Sequence, residues 1–156
     1  MNILHLLSQT HLTGAEVYAA TLCKYQLRDG HRCFIVSDTL HVVSAATYIA
    51  MPIHNRHLLN RIKNIVKLIR LCRREQIDVI HAHSRAGSWL ANIVRWFVPV
   101  TFVSTVHGRQ SVHASSQRAN VYGPHIIVVC EHLAEHLRDE LKIQHAQFHL
   151  IRNGIE

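Results

Sequence analysis

The sequence predicts an α/β fold, a doubly wound parallel sheet with helices on both faces. Three observations carry this. Short apolar, β-branched runs alternate along all 156 residues with stretches of helical periodicity. The runs are apolar throughout rather than alternating, which marks strands buried on both sides. Polar segments bearing glycine or histidine, at 13–14, 83–85, 107–108 and 153–154, fall just after these runs. That places them at the carboxyl ends of strands, where such sheets bind ligands.

The first unit spans 3–30. A strand over 3–7 leads into a polar loop, 8–14, and then a helix over 15–28 closed by Asp29-Gly30. Tyr18, Leu22 and Tyr25 recur at helical spacing and are expected to form its apolar face. The first N–H groups of that helix have no partner within it, and its dipole favours an anion there. Gly14 stands at this point, either as a turn residue or as backbone that comes close to a phosphate.

A second strand is expected over 32–37, and short strands with a loop over 38–55. A long helix covers 56–75, with Leu58, Ile62, Ile65, Ile69 and Cys72 as its apolar stripe. Its basic residues, Arg56, Arg61, Lys63, Lys67, Arg70, Arg73 and Arg74, meet no acid before Glu75. Such a helix either packs on the core with a solvated basic face or lies on an anionic membrane. A third strand follows over 77–83. Ser84 caps a helix over 85–97, Pro99 ends it, and a fourth strand covers 100–106. The polar loop 109–122 is expected to be mobile. A strand over 125–130, a helix over 131–141 and a last strand over 148–151 complete the chain.

The composition narrows the function classes. With 48% apolar residues, the chain can build one domain with a core. No apolar run is long enough to cross a membrane. Met1 leads into a core strand without a basic leader, so no signal peptide is expected. Cys23, Cys33, Cys72 and Cys130 form no C-x-x-C pair and read as reduced core thiols of a cytoplasmic protein. Seventeen Lys+Arg against ten Asp+Glu give a net charge of +7. That points to anionic partners: phosphates, nucleic acid or an acidic membrane surface.

Thr13-Gly14-Ala15-Glu16, with the helix that follows, resembles the opening of the retaining glycosyltransferases of family four, whose first loop is usually Gly-Gly-Ala-Glu. Thr13 stands in place of the first glycine. The resemblance continues in order through residues 78–84, Ser104-Thr105-Val106-His107-Gly108, residues 127–133 and Ile151-Arg152-Asn153-Gly154-Ile155-Glu156.

It implies a GT-B architecture of two Rossmann-like domains, with the active site between them. Residues 1–156 would be the first, acceptor-side domain. The nucleotide-sugar-binding domain lies outside this chain, which alone is expected to be inactive. The implied reaction moves a sugar from a nucleotide-sugar donor to a glycan or lipid-linked acceptor, with retention and without cofactor or metal. His107 is the implied catalytic residue. Thr13, Gly14, Asn153 and Gly154 are the implied donor contacts. Glu16, His83, Arg85, Gly108 and Arg109 are the implied acceptor contacts. Polysaccharide or lipopolysaccharide biosynthesis, a cytoplasmic location and peripheral membrane contact through 56–74 complete the expectation; nucleic acid is not an expected partner. The alternative is a non-catalytic α/β module that binds a phosphorylated ligand or an anionic surface. A third reading takes His132, Glu135 and His136 as an H-x-x-E-H zinc-peptidase motif, which lacks its further carboxylate ligand here.

Overall fold

A computed structural model describes residues 1–108, 110 and 120–154. Among the described residues, seven strands and four helices follow one another: β1 (Asn2–Leu6), α1 (Gly14–Arg28), β2 (Arg32–Ser37), β3 (Thr47–Ala50), α2 (Leu58–Arg74), β4 (Val79–Ala82), α3 (Arg85–Val94), β5 (Thr101–Val106), β6 (His125–Val128), α4 (Glu131–Asp139) and β7 (Gln147–Leu150). All strands are parallel, in the order β3-β2-β1-β4-β5-β6-β7. This is the doubly wound α/β sheet that the apolar runs predict, with element ends displaced by at most three residues.

The register assigns the two faces, because side chains alternate along a strand. Leu4 pairs with Phe34 and Ile80, and His5 pairs with Ile35 and His81. The face of Leu4, Leu6, Phe34, Ile80 and Phe102 packs against α2 and α3, and continues through Ile126 and Val128 onto α4. The opposite face, with Ile3, Leu7, Cys33 and Ile35, packs against Ala19 and Cys23 of α1. His5, His81 and Thr105 belong to this second face.

Local chemistry fixes the helix ends. Thr13 caps α1, its hydroxyl accepting the N–H of Glu16 at 3.2 Å. At the other end Gly30 adopts φ +88°, and the N–H groups of Gly30 and His31 donate back to Leu27 and Gln26. That is a left-handed closure suited to glycine. Ser84 caps α3 through Gly87 N–H at 3.0 Å, as expected. Gly123 is required twice over: its φ is +78°, and a Cβ there would sit 2.5 Å from the Phe102 ring.

Two expected apolar faces are placed differently. On α1 the buried residues are Glu16, Ala19 and Cys23, so the Tyr18–Leu22–Tyr25 face looks away from the sheet. On α2 the core takes Leu68, Leu71 and Cys72, with Ile65 and Ile69 packed beside them. Leu58 and Ile62 of the expected stripe are 69% and 49% exposed, and Leu59 and Val66 are exposed with them. In the first turns of α2, periodicity places the apolar residues on one line, but that line faces solvent. Cys23, Cys33 and Cys72 are buried thiols, whereas Cys130 is exposed at the start of α4. The expected mobile loop falls mainly on 109 and 111–119, outside the described residues.

Candidate functional site

The strand order reverses between β1 and β4, which opens a crevice above their carboxyl ends. The loops that part there are tied at their base. His83 N–H donates to the Leu6 carbonyl at 2.9 Å, and the Ser8 and Ser84 hydroxyls lie 2.8 Å apart. Beside this point a cleft of about 470 Å³ is lined by Gly14, Tyr18, Leu22, Tyr25, Asn153 and Gly154. The structure thus brings together three sequence-predicted contacts from opposite ends of the chain: Gly14, Asn153 and Gly154. A Cβ on any of Gly14, Gly108 or Gly154 would meet nothing within 4 Å, and none has a positive φ. The chain's own packing does not require glycine there. Thr13 lies at the edge of this region with its hydroxyl engaged in the cap and donating to Gln9 Oε1 at 3.0 Å.

His107 follows the last residue of β5 and is half-buried. Tyr18 meets it edge-on, and burial lowers its basicity below the ordinary histidine value. Behind it runs a line of buried imidazoles. His107 Nε2 lies 3.3 Å from His83 Nδ1, His83 Nε2 lies 2.9 Å from His5 Nδ1, and His5 Nε2 lies 2.8 Å from Gln26 Oε1. His81 stacks on His83 with centroids 4.1 Å apart and shares a 2.6 Å hydrogen bond with Thr105. Burial pushes His5 down to about 4. Burial, then the neighbouring histidines, holds His81 and His83 well below their usual range. These rings are neutral at pH 7.

His83 was expected on the acceptor wall. It is 5% exposed and stands behind His107. Glu16, expected among the same contacts, is also turned inward. It is 1% exposed, and its carboxylate accepts from Gln9 Nε2 at 3.1 Å, Val42 N–H at 3.1 Å and the His41 N–H. Its position in the first helical turn leaves it facing the chain segment after β2, and it anchors that segment. Arg85 begins α3; burial pushes the Tyr122 hydroxyl up to about 12, an effect that the Arg85 charge only partly offsets. Gly108 follows His107 directly; Arg109 lies outside the described residues.

His5, His81 and His83 bring three ring nitrogens within 4.8 Å of one another, the one such group among the described residues. Three neutral imidazoles are competent ligands in kind. Here His5 Nδ1 and His83 Nε2 are hydrogen-bonded to each other at 2.9 Å and His81 Nε2 is engaged by Thr105 at 2.6 Å, so these nitrogens already have partners within the chain. The H-x-x-E-H residues do not assemble either. His132 is 93% exposed beside Glu135, while His136 is buried and bonds to the backbone of Gln110.

Sequence reasoning missed Tyr18, assigned to the core, and His5, Gln26 and Gln9. The one local signal was a histidine inside an otherwise apolar buried strand, at His5, which has to find a polar partner.

Residues 12–156 match the family described as Glycosyltransferase Family 4. No curated protein matches the chain. Among solved structures it is similar to a glycosyltransferase from Rickettsia africae, with a TM-score of 0.88 and 20% identity over 99% of this chain and 43% of that one. It is similar to HepE of Anabaena, solved in complex with UDP, with a TM-score of 0.75 and 15% identity over 100% and 45%. It also resembles the lipopolysaccharide outer core galactosyltransferase WaaB, with a TM-score of 0.70 and 12% identity over 99% and 46%. The chain spans less than half the length of each of these.

Proposed function

The chain belongs to Glycosyltransferase Family 4, and we propose that it forms the acceptor-side half of a two-domain GT-B enzyme. The complete enzyme transfers a sugar, with retention, from a nucleotide-sugar to a hydroxyl of a glycan or lipid-linked acceptor. A second domain outside residues 1–156 supplies the nucleotide site.

One observation carries this reading: the α1 N-terminus at Gly14 faces Asn153-Gly154 across a cleft that His107 borders through Tyr18. Unpaired N–H groups and the positive end of the helix dipole suit a diphosphate. Glycines whose Cβ would meet nothing leave room for it to approach the backbone. No resident metal is needed in this scheme, since helix ends and basic side chains neutralise the leaving group. His107, made less basic than an ordinary histidine by its partial burial, acts through its ring dipole and hydrogen bonds rather than as an imidazolium. The UDP complex of HepE supports a nucleoside diphosphate as the donor's leaving group.

The surface of α2 favours a lipid-linked acceptor. Exposed Leu58, Leu59, Ile62 and Val66 stand among exposed Lys63, Lys67 and Arg70. Apolar side chains beside cations suit an anionic membrane face. No helix among the described residues is long and apolar enough to cross a membrane.

The test uses the protein extended through a following second domain, with a panel of nucleotide-sugars and acceptors. Transfer is expected, with none by residues 1–156 alone. His107→Ala should lower kcat by about a hundredfold while donor affinity changes little, as for loss of one group serving the transition state. Turnover by the isolated chain, or a normal kcat in the variant, would overturn this assignment. Binding of a phosphorylated ligand without transfer would favour the non-catalytic alternative.

A further inference from the structure

We propose that Gln26, acting through His5 and His83, fixes the tautomer of His107, which is held with its proton on Nε2 and a bare lone pair on Nδ1. The argument follows the hydrogen bonds inward from α1. Gln26 Oε1 is an acceptor only, and Cys33 Sγ lies 3.5 Å from the same oxygen as a thiol donor. The nitrogen 2.8 Å from that oxygen, His5 Nε2, therefore carries hydrogen.

His5 is fully buried, with no carboxylate among its hydrogen-bond partners, and is neutral, so it holds one proton. Its Nδ1 is then an acceptor, and the nitrogen facing it at 2.9 Å, His83 Nε2, must donate. His83 is neutral for the same reason, which leaves its Nδ1 as an acceptor. The nitrogen facing that atom at 3.3 Å is His107 Nε2, and it donates. One amide oxygen thus sets the polarity of three rings drawn from β1, β4 and the end of β5.

Nothing in this chain of bonds needs His81, whose Nε2 is engaged by Thr105. Gln26 touches neither the cleft nor His107, so it is a positioning residue. A bare Nδ1 on His107 accepts a hydroxyl proton and is repelled by a carboxylate or phosphate oxygen. For its functional meaning the inference rests on the reading of His107 as a site residue; the tautomer itself does not.

The experiment is nitrogen-15 NMR of the histidine-labelled chain at pH 7, in which two-bond nitrogen–proton couplings distinguish the tautomers. His5, His83 and His107 should each show one species, protonated on Nε2. Gln26→Leu should turn both His5 and His107 into mixtures. His83→Phe, which keeps an aromatic ring in the stack, should turn His107 alone into a mixture and leave His5 protonated on Nε2. A wild-type His107 protonated on Nδ1 would overturn the proposal. So would a His107 tautomer unchanged in both variants, or one zinc ion bound per chain with the His5, His81 and His83 signals displaced. If neither variant folds, the wild-type spectrum decides. No sugar transfer enters the measurement, so its failure is distinct from failure of the enzymatic assignment.

Discussion

Tyr18 meets His107 edge-on, with 4.8 Å between ring centroids, and the same ring lines the cleft beside Gly14 and Gly154. Edge-to-face ring pairs of this kind are worth about 0.5–1.5 kcal/mol. In the complete enzyme Tyr18→Ala should lower kcat/KM by up to about tenfold, a figure that follows from this range. Tyr18→Phe, which keeps the ring, should stay near wild type. Steady-state kinetics decide the matter, and equal losses in both variants would locate the effect in the hydroxyl instead.

Glu16 accepts from Gln9 and from the backbone of His41 and Val42 while 1% exposed. Glu16→Ala strands those donors and should destabilise the chain by about 3 kcal/mol. Glu16→Gln preserves the volume and one acceptor and should cost less. Urea unfolding of the three proteins gives the order. An alanine variant as stable as wild type would place Glu16 back on the cleft wall as a free acceptor contact.

Acid should unfold this chain earlier than its carboxylates alone would. The folded-state value of His5 lies at about 4, below its ordinary 6.5, and His81 and His83 are displaced in the same direction. The unfolded chain therefore takes up protons first as pH falls. Stability from keeping these rings neutral is complete above about pH 6.5 and is lost progressively toward pH 4. For His5 alone the loss is on the order of 3 kcal/mol. Thermal melts between pH 7.5 and 4.5 should show Tm nearly level down to about pH 6.5 and falling from there to pH 4.5; a flat Tm over the whole range would contradict neutral burial.

The exposed surface of α2 should bind vesicles containing anionic lipid, and do so less well as salt is raised. Each cation near such a surface is worth about 1 kcal/mol. Replacing Lys63, Lys67, Arg70 and Arg74 by Gln should abolish the binding without unfolding the domain. Replacing Leu59 and Ile62 by Ser should weaken it while leaving stability nearly unchanged, because both side chains already face solvent. Equal retention on neutral vesicles, or none at low salt, would leave α2 an ordinary solvated face.

Much of the architecture was legible in the residues themselves. The apolar runs of β1, β2, β4, β5 and β6 are bounded by turn and cap residues that act over three or four positions: Gly30, Ser84 and Pro99. Such signals are local, so sequence carries them. A parallel sheet follows from the alternation with helices, and with it the convergence of Gly14, His107 and Gly154 at one edge.

Periodicity states which residues share a face, but not what the face meets. Tyr18, Leu22 and Tyr25 do lie on one side of α1, yet Ala19 and Cys23 meet the sheet and the aromatic side borders the cleft. Leu58 and Ile62 continue a true stripe beyond the surface it could cover. The histidine line needed still more: His5 and His83 are 78 positions apart, and their 2.9 Å contact exists only because β1 and β4 pair in one register. Sequence alone determined most of the strands, the Ser84 cap and the family. The tertiary structure decided which polar groups are buried together, because burial depends on what the rest of the chain places opposite.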